Sequence, residues 1–261
     1  MAPVWPFKSA NPKGPVPALF LHMQKTAGTA LVDGLRPHYG ASMITHGDFI
    51  GHEPREFRDL LFVSGHFGHA WARDLMPGRF AFTFLRDPVE RVLSFYHFCR
   101  AQNTAEFSTY TRARELELAE FVAAAAEDAL IRKNICNNQA WQLAHGYILR
   151  RGYAVPDELE IGDMPPAEVL ALAIEHLGEF SHVGFAETFA EDRGVIMEAL
   201  RLPPPAVAAA AINSTPGRPR RDDLPRRTLA LIRDVTGLDQ AVYEFALRQR
   251  RGGGGGSGFC Q

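Results

Sequence analysis

The sequence predicts an α/β fold: a central parallel sheet flanked by helices, in one domain. Three stretches carry that prediction, each a short apolar run that stops abruptly at a turn. They are residues 18–21 (ALFL), 61–64 (LFVS) and 79–85 (RFAFTFL), and the first and third hand over at once to a helical pattern. Short strands alternating with helical stretches are the mark of a parallel sheet. A chain of 261 residues, 46% hydrophobic and 22% charged, has an ordinary globular composition and is long enough for one large domain.

In order along the chain, residues 1–17 are proline-rich and read as a loosely held N-terminal arm, with the domain proper at 18–250. The run Ala18, Leu19, Phe20, Leu21 has the length of a buried strand. It stops at Gln24-Lys25-Thr26-Ala27-Gly28-Thr29, and Ala30, Leu31 and Leu35 then continue with helical spacing to about Tyr39. Small and hydroxylated residues let backbone N–H groups crowd at the helix start, where unpaired donors and the positive dipole end favour an anion. Lys25 adds a full positive charge. Residues 41–61 hold a short apolar piece (Met43, Ile44) and then His46, Asp48, His52 and Glu53 without a clear period. They read as a surface loop or an acceptor-binding loop.

The second apolar run ends at Gly65-His66-Phe67-Gly68-His69, which puts His66 at the carboxyl end of a strand, where α/β sheets present their chemistry. His69 is the second choice. The third run leads into Arg86-Asp87-Pro88-Val89-Glu90-Arg91-Val92-Leu93-Ser94. Pro88 suits a first helical position because its missing N–H would be unpaired there anyway. Arg86 at the strand exit and Ser94 two turns along the helix can meet one ligand. Asp87 and Arg91 read equally well as a capping and salt-bridging pair.

Residues 101–114 are expected to form a flexible insertion or lid, and residues 116–129 an Ala- and Glu-rich helix. The amides of Asn134, Asn137, Asn138, Gln139 and Gln142 either bind acceptor hydroxyls or cross-link helices. A late unit follows: helix at 165–178, strand at 181–185, helix at 187–200. The segment 213–221 (NSTPGRPRR) is basic and punctuated by Gly and Pro; it reads as a solvated loop or as a ligand-contacting one. Two amphipathic helices (224–236, 239–250) and a glycine-rich tail (251–261) complete the chain.

A formal net charge of −2 offers no global attraction to nucleic acid or anionic membranes, so any anion site must be local. The cysteines (99, 136 and 260) are odd in number and lack a C-x-x-C pair, which suggests neither a disulfide framework nor a zinc site. The proline-rich start lacks the apolar core of a signal peptide, and no run approaches transmembrane length. A cytoplasmic protein is expected.

Two motifs resemble a known family. K-T-A-G-T after a strand, Lys25 to Thr29, has its lysine before the glycine. It therefore departs from the nucleotide P-loop, G-x-x-x-x-G-K-[ST]. It is similar to the 5′-phosphosulfate loop of sulfotransferases that use 3′-phosphoadenosine 5′-phosphosulfate (PAPS), in particular the carbohydrate 2-O-sulfotransferase-like branch. Gln24 stands where those loops often have Pro, and Ala27 where they have Gly; alanine takes a left-handed conformation only at a cost. R-D-P-x-x-R-x-x-S, Arg86 to Ser94, resembles the 3′-phosphate site of the same enzymes.

The resemblance implies a P-loop-like sheet, PAPS as co-substrate, adenosine 3′,5′-bisphosphate as product and a hydroxyl-bearing acceptor, a carbohydrate above all. It implies that Lys25, Thr26, Ala27, Gly28 and Thr29 hold the 5′-phosphosulfate and that Arg86 and Ser94 hold the 3′-phosphate. Gly65-His66 matches the pair that supplies the catalytic base, and Ser214, Thr215 and Arg218 match a loop that folds over the nucleotide. No metal is required. The competing classes are an ATP-using P-loop kinase, which expects a Lys-[ST] after the glycine and an acidic magnesium ligand, and a non-catalytic phosphate- or glycan-binding module of the same fold.

Overall fold

In the computed structural model, which describes residues 14–146, 159–204 and 219–252, the chain is an α/β protein with a single five-stranded parallel sheet flanked by helices. The strands are β1 (Ala18–Leu21), β2 (Met43–Ile44), β3 (Phe62–Gly65), β4 (Phe80–Leu85) and β5 (His182–Phe185). Their order across the sheet is β2-β3-β1-β4-β5, and every pairing is parallel. From β1 the chain runs to one side to make β2 and β3, then crosses back over β1 to make β4. Strand order therefore reverses beside β1, and the crevice at the carboxyl ends there is where such sheets hold ligands.

The alternation of a pleated strand assigns its residues to two faces. Leu19 and Leu21 of β1 pack with Val63, Ala81, Leu85, Val183 and Phe185 on one face; Ala18 and Phe20 pack with Phe62, Phe82 and Phe84 on the other. The second face is covered by α1 (Gly28–Tyr39), through Leu31, Val32 and Leu35, and by residues 189–199. With both faces covered, the strands are buried along nearly their whole length, which is why they read as continuous apolar runs.

After β3 comes the single turn α2 (His69–Ala72), and after β4 the helix α3 (Pro88–Arg100). Among the described residues, five helices lie between α3 and β5: α4 (Ser108–Glu115), α5 (Leu118–Ala123), α6 (Ala129–Ile135), α7 (Asn138–Ala144) and α8 (Pro166–Leu177). The expected insertion at 101–114 thus contains helix α4, packed through buried Thr109 and Ala113. The expected helix at 116–129 is broken. Ala124–Ala126 tighten into a 3₁₀ turn, and Asp128 caps a new helix by accepting from the Leu130 and Ile131 N–H groups. The described residues end with α9 (Phe189–Ala199), α10 (Arg226–Val235) and α11 (Gly237–Gly252).

Within the described residues, Val16 is tied down by its N–H to Leu200 O and by Tyr39 Oη to its own carbonyl. Residues 1–13 of the expected arm and 253–261 of the expected tail lie outside the described residues. No helix among the described residues is long and apolar enough to cross a membrane.

Candidate functional site

Beyond Leu21 the chain closes a tight loop. Thr26 is fully buried beneath it and its hydroxyl donates to Met23 O at 2.9 Å, so this hydroxyl shapes the loop. Lys25 (φ 67°) and Ala27 (φ 70°) both sit in the left-handed region. For residues with a Cβ that costs roughly 1–2 kcal/mol each, and strain of this kind gathers at functional sites. Ala27 is the N-cap of α1 and offers no side-chain acceptor, and the first turn has no acidic residue. The leading N–H groups of α1 therefore receive no capping side chain, the arrangement that favours an anion at a helix start. By contrast α3 is capped internally, its Glu90 N–H donating to Asp87 Oδ1 at 3.1 Å. Gly28 admits no side chain, since a Cβ there would fall 2.2 Å from His22 Nε2.

At the exit of β4, the buried Gln139 of α7 holds the Arg86 backbone from both sides. Arg86 N–H donates to Gln139 Oε1 and Gln139 Nε2 donates to Arg86 O, each at 2.9 Å. The Arg86 guanidinium reaches across to Lys25, its Nη1 donating to Lys25 O at 3.0 Å, and Nη2 lies 3.9 Å from Glu90 Oε2. The two loops are thus cross-linked directly. Ser94 is nearly buried on the inner side of α3; Phe98, one turn on, lies under the Lys25 ammonium, with Nζ 4.0 Å from the ring centre.

His66 follows β3. Its Nδ1 lies 2.7 Å from His22 O, and because a carbonyl can only accept, Nδ1 carries the proton and Nε2 the lone pair. Burial pushes the His66 pKa down to about 4, with the neighbouring His46 and Lys25 acting in the same direction. His22, at the end of β1, is also held neutral by burial. His46, after β2, completes a cluster whose ring centres are 4.5–5.7 Å apart.

These parts share one cavity of about 410 Å³ at the carboxyl ends of β1 to β4. Lys25, Ala27, Gly28 and Thr29 line one side, Arg86 and Ser94 another, and His66 stands with His22 and His46. Of the other expected residues, Thr26 lies behind the wall. Ser214, Thr215 and Arg218 lie outside the described residues. Arg221, at the end of the same basic segment, pairs with Asp87 Oδ2 at 2.8 Å. No protein-family model matches the chain, and no curated protein matches it.

The segment 134–142 proves to be scaffolding. Beside the Gln139 clasp, Gln142 Nε2 donates to Phe67 O at 2.8 Å and Asn137 Oδ1 accepts from Leu238 N–H at 2.8 Å. Arg91 is structural too, buried and donating to Asn134 O at 2.9 Å, while Asp87 caps α3 and binds Arg221, so the two do not serve as a pair. The sequence reading did not single out His22, His46, Phe98 or Tyr110 as wall residues, though it placed His46 in a surface or acceptor-binding loop. His22 was accessible to the rule that selected His66, because it follows β1 at its carboxyl end; β2 is only two residues long and did not read as a strand, so His46 was not. Phe98 and Tyr110 carried no motif.

Proposed function

We propose that the chain is a PAPS-dependent sulfotransferase that moves a sulfuryl group to an acceptor hydroxyl, a carbohydrate hydroxyl being the favoured class. The observation that supports this reading is the convergence of three groups in one cavity: an uncapped helix start with Lys25, the cationic Arg86 beside the Ser94 hydroxyl, and a neutral His66 whose Nδ1 donates to His22 O. The donor set fits a molecule with two separated phosphate groups. Gly28 and the leading N–H groups of α1 form one cradle, and a guanidinium, suited to paired charge-assisted bonds with phosphate, forms the other. The unit of β1, loop and α1 is P-loop-like in this reading, with its lysine displaced to the front of the glycine.

PAPS supplies the sulfuryl group and leaves as adenosine 3′,5′-bisphosphate. His66 Nε2 takes the proton of the acceptor O–H as that oxygen bonds to sulfur and the bond from sulfur to the 5′-phosphate oxygen breaks. Lys25 and the first N–H groups of α1 neutralise the charge that grows on the departing phosphate. Arg86 and Ser94 hold the distant 3′-phosphate and so fix the orientation of the reacting end. Phe98 and Tyr110 add apolar surface on which the C–H face of a sugar ring can rest. A reducing, cytoplasmic setting suits the free thiols of Cys99 and Cys136.

The test is transfer of label from PAPS to a panel of hydroxyl acceptors. His66→Ala is expected to lower turnover by on the order of a hundredfold to ten-thousandfold. Wild-type turnover in that variant on the same acceptor removes His66 as the base.

A further inference from the structure

His69, only three positions beyond His66, turns away from the cavity and joins a different cluster. It is 4% exposed, and its Nε2 lies 2.9 Å from Glu179 Oε2. Its ring is stacked on that of His176, centres 3.6 Å apart and planes 13° from parallel. His176, near the end of α8, donates from Nδ1 to Leu143 O at 2.8 Å, so in the neutral ring Nε2 carries the lone pair. One ligand atom from each of the three residues falls within 4.8 Å of the others.

Two imidazole nitrogens and a carboxylate oxygen form a borderline donor set that suits zinc and its neighbours and is poorly matched to magnesium or calcium. A backbone carbonyl holding the far nitrogen, as Leu143 does for His176, is the arrangement that orients a metal-binding imidazole. We propose that His69, His176 and Glu179 bind a zinc-class divalent cation, with a coordination position left on the solvent side, where Glu179 is half-exposed. The cation staples α2, which follows the His66 turn, to the connection between α8 and β5. None of the three residues lines the anion cavity, so the proposal stands apart from the sulfuryl-transfer reading.

Full-length protein stripped with a chelator and titrated with zinc alone is expected to bind one equivalent by calorimetry. With zinc at a hundred times its dissociation constant, Tm should rise by roughly 5–10 °C, and magnesium should leave it unchanged. His176→Ala and Glu179→Gln, both partly exposed positions, should abolish zinc binding while melting near the wild type in chelator, and His46→Ala should keep it. Should a variant fold poorly, cobalt substitution in the wild type should give tetrahedral absorption bands that Glu179→Gln weakens or shifts. Absence of stoichiometric zinc binding in the wild type overturns the proposal. So does binding that survives the double variant His176→Ala/Glu179→Gln, or that His46→Ala removes, which would move the cation to the histidines of the cavity.

Discussion

At the residue scale, two features of the cavity make quantitative claims. Ala27 holds φ 70° in a loop whose resembled counterparts carry glycine. Ala27→Gly should relieve that strain and raise stability by about 1 kcal/mol, the left-handed penalty less the added freedom of the unfolded chain. Urea denaturation measures it, and a loss of stability would show that the methyl group is a net benefit. His66 makes the second claim. With its pKa near 4 in the free protein, Nε2 stays unprotonated as pH falls through 6.5 and takes a proton only near pH 4, where the proposed base is lost. The acid limb of kcat/KM should therefore lie near 4, and that of kcat higher, because an anion in the cavity favours the imidazolium. A limb of kcat/KM at 6.5, the value of an unperturbed histidine, would show that His66 is exposed in the working protein.

At the element scale, the site depends on α7 as much as on the loops that line it. Gln139 exchanges two hydrogen bonds with the Arg86 backbone, and Asp239 of α11 in turn accepts from the Ala140 N–H at 2.8 Å near the start of α7. Gln139→Ala should cost about 2–3 kcal/mol through the lost and unsatisfied bonds, and should weaken bisphosphate binding roughly tenfold, about 1.4 kcal/mol, by loosening Arg86. Calorimetry and denaturation together check this; unchanged binding would mean that β4 alone positions Arg86. Little of this was legible in the sequence, where an amide bound to a backbone looks the same as an amide facing a ligand. Local patterns did announce β1, β3, β4, β5 and the helices α1, α3, α8, α9, α10 and α11, because their apolar periods lie within a few residues. They did not announce α4, whose eight residues carry only two buried positions, nor the break before α6, set by Asp128 and the tight turn at Ala124–Ala126.

At the scale of the whole molecule, the sheet order explains why motifs far apart in sequence meet. β1 lies between β3 and β4, so the turns carrying Lys25, His66 and Arg86 are neighbours although 61 positions separate the first from the last. Each motif was readable alone, and so was its place at a strand end. What no local pattern gave was that β2 also reaches this edge, bringing His46 beside His66, or that α4 folds back to set Tyr110 in the wall. The central claim is that Lys25 with α1 and Arg86 with Ser94 make one clamp for two phosphates. Calorimetry with adenosine 3′,5′-bisphosphate in metal-free buffer tests it most directly. The bisphosphate should bind the wild type more tightly than ATP or magnesium-ATP, and Arg86→Ala should raise its dissociation constant by roughly 10- to 100-fold, as expected for a lost charge-assisted pair. Tighter binding of magnesium-ATP, or a constant unmoved by Arg86→Ala, would contradict the account.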